Sequence, residues 1–144
     1  MDKRLVAFFG AACVSACAGL TGNSIRHEGL SYRQLTGEQL RSTLEGKQLT
    51  FPGDARGGVI SSSVRCHRFH VRGFYERCQH RVNRRGTYVL SNDRICVSVE
   101  GGQEPACWRL YSSSSGTHLL KALFPNSAPP ERVSIFALPE LNWR

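Results

Sequence analysis

The stretch Gly86-Thr87-Tyr88-Val89-Leu90-Ser91-Asn92-Asp93-Arg94-Ile95-Cys96-Val97-Ser98-Val99-Glu100-Gly101-Gly102-Gln103-Glu104-Pro105-Ala106-Cys107-Trp108-Arg109-Leu110-Tyr111-Ser112 decides the fold. It holds three short extended candidates, 86–91, 94–99 and 106–112, separated by Asn92-Asp93 and Gly101-Gly102. Such pairs are turn formers: Asn and Asp bond their own backbone, and Gly tolerates positive φ. Ten residues separate Cys96 from Cys107, and they centre on Gly101-Gly102. The two cysteines therefore suit opposite positions on one hairpin.

The pattern continues in both directions. Upstream, 58–71 and 74–82 are extended candidates, with breaks at Arg72-Gly73 and at Arg84-Arg85-Gly86. Before them, Lys47-Gln48-Leu49-Thr50-Phe51 alternates and Pro52-Gly53-Asp54 punctuates. Downstream, 117–123 follows Ser113-Ser114-Ser115-Gly116, and a last strand near 132–137 follows Pro125, Pro129 and Pro130 in a surface crossover. Short strands at a spacing of roughly 8–12 residues predict an antiparallel barrel or sandwich. No longer repeat is visible, which argues against a solenoid.

A single helix is expected before the strands, at about residues 37–45. Thr36 and Gln39 have capping-box spacing, and Leu35 and Leu40 are placed as a hydrophobic staple. Leu40 and Leu44 share a face, Glu38 lies near the N-terminus, and Gly46 suits the stop. The expected class is mainly β, α+β at most: one short helix, then an antiparallel meander closing into a small barrel or sandwich.

The chain has 144 residues, enough for one domain, and 19 cationic against 11 acidic side chains give a net +8. All but Lys3, Lys47 and Lys121 of those cations are Arg. These counts exclude a multidomain enzyme and an acidic disordered tail. Six cysteines in so short a chain suggest an oxidising compartment. Eleven residues lie between Cys66 and Cys78, centred near Arg72-Gly73. Cys66, Cys78, Cys96 and Cys107 allow three pairings, of which the two local ones demand least of the fold.

The N-terminus reads as an address. Lys3 and Arg4 precede the run 5–16, which is apolar except for Ser15: the length of a signal-peptide core and too short to span a membrane. It ends in Val14-Ser15-Ala16-Cys17, which resembles the lipobox of bacterial lipoproteins. The resemblance implies that Cys17 becomes the diacylated N-terminus, and Ala18 in place of Asp implies retention at the outer membrane. Ala16-Cys17-Ala18 is also an A-x-A site, so ordinary cleavage and soluble periplasmic export is the rival reading. An uncleaved anchor is the third. The expected organisation is a signal peptide at 1–16, a lipidated tether at 17–30 and one β-rich domain at 31–144.

The combination of Gly37-Glu38-Gln39-Leu40, Gly46-Lys47-Gln48-Leu49, Gly86-Thr87-Tyr88, and Ile95-Cys96 with Cys107 resembles a family of small exported bacterial domains. The resemblance spans roughly residues 32–123 and implies a β-rich exported domain; it transfers no active site. Cys66 and Cys78 lie outside its pattern.

The densest chemical signal is Arg65, Arg68, Arg72, Arg77, Arg81, Arg84 and Arg85, interleaved with Phe69, Phe74 and Tyr75 and opposed only by Glu76. Guanidinium forks match phosphate and carboxylate, so this segment is a candidate anion-binding face. If extended, Arg68 and Arg72 share one face, as do Arg77 and Arg81. The competing reading is a solvated strand face in an Arg-preferring chain. Cys66, His67, His70, Cys78 and His80 lack zinc-site spacing, and no nucleophile elbow, phosphate loop or zincin motif occurs. No cofactor, metal or nucleic-acid partner is expected. The expected role is non-catalytic: an envelope structural or interaction module meeting the membrane through its lipid and an anionic envelope lipid, polymer or protein through its Arg face. A soluble periplasmic binding or inhibitor domain is the alternative, and a metal or thiol enzyme a more distant one.

Overall fold

A computed structural model describes residues 23–51, 65–79, 82–102 and 104–138. The expected signal peptide at 1–16, Cys17, His80, Arg81 and Trp143 lie outside the described residues. Two strands, β1 (Ser24–His27) and β2 (Leu30–Gln34), form a hairpin and lead into helix α1 (Gly37–Leu44). Eight strands follow: β3 (Lys47–Thr50), β4 (Cys66–Phe69), β5 (Phe74–Gln79), β6 (Val82–Leu90), β7 (Ile95–Val99), β8 (Ala106–Ser113), β9 (His118–Ala122) and β10 (Glu131–Ala137). Each is antiparallel to the next, and β10 returns to β3 in a register running from Ser134 opposite Thr50 to Ala137 opposite Lys47. The meander is therefore a closed up-and-down barrel and not a sandwich. Closure removes the exposed strand edges that an open sheet would present.

The interior follows from period-two alternation. Leu49, Phe69, Tyr75, Tyr88, Ile95, Val97, Leu110, Leu120 and Val133 come from eight different strands and form one buried cluster. Leu40 and Leu44 of α1 join it, both completely buried, so the helix covers one end of the barrel. Burying a Leu side chain stabilises by about 1.5–3 kcal/mol, which is what holds so short a helix in place.

The helix ends are tied to barrel loops. Gly46, at φ +70°, stops α1 as expected, and its N–H donates to the Phe69 carbonyl at 2.8 Å. At the other terminus the expected capping box does not form: the Thr36 side chain makes no capping bond. Gly37 adopts φ +54°, and its N–H is turned to the Asn92 carbonyl at 2.8 Å. The β6–β7 turn thus anchors this terminus.

Three further expectations are corrected. Arg84-Arg85-Gly86 is not a turn but the middle of β6, which begins at Val82. Gly86 is needed for another reason: a Cβ there would lie 2.0 Å from the Ser98 carbonyl oxygen, so strands β6 and β7 approach closely at this point. Residues 24–30, read as tether, are strand and turn instead. Ile25 packs against Tyr32, Tyr111 and Leu119, a second cluster that fixes the β1–β2 hairpin on the barrel. The candidate 58–71 contracts to β4 at Cys66–Phe69, with 58–64 outside the described residues.

Both local cysteine pairings are present. Cys66 lies opposite Cys78 on β4 and β5, and Cys96 opposite Cys107 on β7 and β8, with Cα separations of 4.8 and 4.1 Å.

Candidate anion site at the barrel end opposite the helix

One row of directly opposed residues crosses five strands: Ile135, Leu49, His67, Arg77 and Arg84. It starts in the apolar core and finishes in two guanidinium groups. The reason is strand length. β7 pairs with β6 only from Gly86 onward, so residues 82–85 of β6, together with their β5 partners, run past the rim. Arg77 and Arg84 have the inward parity of Tyr75 and Tyr88 but stand beyond the closed core and are exposed.

His67 marks the boundary between the two regimes. Its side chain is buried, and Nδ1 is hydrogen-bonded to the Tyr75 hydroxyl at 2.5 Å. Its ring lies 5.1 Å from that of Trp108 and meets Phe51 edge-on at 5.6 Å. Burial first, then the nearby Arg77 and Arg65, lowers its pKa to about 3, so it is a neutral imidazole at physiological pH. Around it is a cleft of about 130 Å³, lined by Phe51, Arg65, His67, Arg77, Trp108 and Glu131 together with the Cys66–Cys78 bridge. The Arg65 guanidinium sits 4.5 Å above the Phe51 ring and 3.8 Å from the Glu131 carboxylate. Glu131 is the one carboxylate among the described residues lining the cleft.

The remaining arginines of the segment are placed elsewhere. Arg68, Glu76 and Arg85 are consecutive in a second row, on the opposite strand face. Arg68 donates from Nε to Gln48 at 2.8 Å and lies 3.5 Å from Glu76; Arg85 is 3.9 Å from the same carboxylate, and His70 is 3.2 Å from it. Here two guanidinium groups surround an anion that the protein supplies itself. Arg72 does not share a face with Arg68, because the chain leaves β4 at Phe69. It sits in the short 3-10 turn Val71–Gly73 at φ +69°. The single Arg face expected from the sequence is thus two groups on opposite faces and one turn residue, with Arg81 outside the described residues.

Among the described residues of this segment, the group at the barrel end has the geometry of an anion site. Arg77 and Arg84 are directly opposed like charges, an unfavourable cross-strand pair unless an anion is shared between them. The bland account is that arginines on the unpaired part of β6 deter edge-to-edge association. That account explains Arg84 but not the cleft beside it. Glu131, Trp108 and Phe51 were missed as site residues because they come from segments distant in sequence; no local motif marks them.

Other candidate chemistry is accounted for by the fold. Cys66 and Cys78 bond each other, and among the described residues no group of three or more His, Cys, Asp or Glu converges to hold a metal. A second cleft, about 280 Å³, lies over β9 and β10 beside His118 and Arg132, but Arg132 already pairs with Glu28 and burial lowers the pKa of His118. Asp93 is held below the usual carboxylate range by a hydrogen bond from Arg94, with Arg109 adding to it.

Comparison with protein-family models, curated proteins and solved structures yields no match.

Proposed function

We propose that this protein is an exported, lipid-anchored, non-catalytic module of the bacterial envelope that holds an anionic envelope component at the barrel end opposite α1. The observation that carries this reading is the concentration of Arg65, Arg77 and Arg84 at one end of a barrel whose other end is covered by α1. On the outer wall Arg68 and Arg85 share the carboxylate of Glu76, which offsets part of their charge. The four cysteines of the barrel form two bridges, which leaves them no thiolate for nucleophilic chemistry.

Anchoring is tested by Cys17→Ala, which should move the protein from the membrane to the soluble fraction; continued tight membrane association would remove the lipoprotein reading. Anion contact is tested with the purified Cys17→Ala protein and phosphatidylglycerol vesicles. Each arginine near an anionic surface contributes about 1 kcal/mol, so Arg77→Gln with Arg84→Gln should weaken binding by roughly tenfold or more. Binding should also fall steeply with salt, and equal retention on neutral phosphatidylcholine vesicles would count against it.

The cleft beside His67 favours a second reading, a soluble periplasmic domain that binds a small ligand in the barrel end. The mass of the mature N-terminus separates the two, since an acylated Cys17 and a start at Gly19 differ by Cys17, Ala18 and the acyl groups.

A further inference from the structure

The reading above leaves the anion unnamed. Resting on that reading, we propose that the cleft is a site for a phosphomonoester carried on an apolar stem, bound end-on with the phosphate between Arg65, Arg77 and Arg84 and the first atoms of the stem on Phe51 and Trp108.

Charge selects the head group. Among the described residues, Arg65 and Arg77 line the cleft beside the single carboxylate of Glu131, and Arg84 stands directly opposite Arg77 on the neighbouring strand. A phosphomonoester carries about −1.5 to −2 at neutral pH and three acceptor oxygens, enough to engage more than one arginine. A lone carboxylate is satisfied by one fork, and Arg65 already has one in Glu131. Arg77 and Arg84 come from adjacent strands, so a phosphate between them would relieve the repulsion of that pair.

Size selects the mode of entry. The cleft of about 130 Å³ equals about four waters at the roughly 30 Å³ each occupies in the liquid. That admits a phosphate and the start of its stem but not a whole acyl chain or a drug-sized ligand. Below the cleft the barrel is filled: Leu49 and Leu110 are completely buried and Phe69 nearly so. Nothing larger can pass inward without displacing the core. The lining matches this division, with cations at the rim and the rings of Phe51, His67 and Trp108 beneath them. His67 contributes a neutral ring here and does not compete as a further cation.

Phosphomonoesters reach an envelope protein either as a lipid head group or as a free soluble ester, and the experiment separates the two. The protein contains two tryptophans, so Trp143→Phe leaves Trp108 as the sole indole reporter. With this variant in the Cys17→Ala background, hexyl phosphate should change the fluorescence saturably, hexanol should not, and inorganic phosphate should bind at least about tenfold more weakly because it lacks the stem. Arg77→Gln with Arg84→Gln should weaken hexyl phosphate by at least about tenfold, as should Arg65→Gln, whereas Arg33→Gln, an exposed charge on β2, should leave it unchanged. The unfolding midpoint of each variant checks that the barrel is intact. Vesicles of phosphatidylcholine with phosphatidic acid then report the lipid source. Response to both probes supports site and envelope reading together. Response to hexyl phosphate alone supports the site and assigns a free ester, which overturns the envelope ligand. Response to vesicles alone, or equal loss on Arg33→Gln, overturns the site and leaves only surface attraction. Response to neither overturns both.

Discussion

His67 shows how one residue couples the core to pH. In the folded barrel its pKa is about 3, against 6.5 for the ordinary side chain. Between those values an unfolded chain takes up a proton that the folded protein refuses. Its contribution to stability is complete above 6.5 and is lost progressively as pH falls toward 3. Over the full window this amounts to on the order of 4–5 kcal/mol. Urea unfolding at a series of pH values should show stability declining through this range, and His67→Leu should make the decline shallower; an unchanged slope would show that His67 is not the group responsible. Gly86 is the second single-residue control point. A methyl group there collides with the Ser98 carbonyl oxygen, so Gly86→Ala should lower the unfolding free energy by about 1–3 kcal/mol, measured by denaturant titration.

At the scale of elements, α1 and the two bridged hairpins share the work of holding a small barrel. Leu44 has no solvent exposure, and Leu44→Ala should cost about 2–5 kcal/mol, read from a lowered urea midpoint. Each disulfide closes a short loop, 12 or 11 residues in sequence separation, and opening either by paired Cys→Ser substitution should cost about 2–4 kcal/mol. Local features of this kind were legible in the sequence. Gly46 announced the helix stop because only the left-handed backbone ends the helix there, and the cysteines announced their partners because each pair brackets a turn. Arg84-Arg85-Gly86 was misread for an instructive reason. Glycine serves both tight turns and close strand approach, and only the partner strand tells them apart. The Thr36 cap was misread similarly, since the competing bond from Gly37 to Asn92 comes from a turn more than fifty residues away.

On the scale of the whole molecule, closure was the part that sequence alone left undecided between barrel and sandwich. It depends on β10 meeting β3, and nothing in Lys47–Thr50 or Glu131–Ala137 records that partnership. The same ignorance of register hid the functional geometry. Whether an arginine faces the cleft or the outer wall is set by strand parity, and parity is fixed only once the ladder is known. The topology also predicts a hierarchy of opening. The hairpin strand β1 pairs on one side only, whereas β4 to β7 each have two neighbours and β8 has three. Amide exchange should therefore release β1 through local opening and the central strands only through global unfolding; uniform protection would contradict this arrangement. Finally, both bridges join cysteines that are consecutive along the barrel: 66 with 78, then 96 with 107. For the proposed export, N-terminus first into an oxidising space, the correct mate of Cys66 and of Cys96 is the next thiol to emerge. A simple thiol oxidant then suffices, with no reshuffling of mismatched bridges, and the lipidation proposed for Cys17 would take that upstream sulfur out of play.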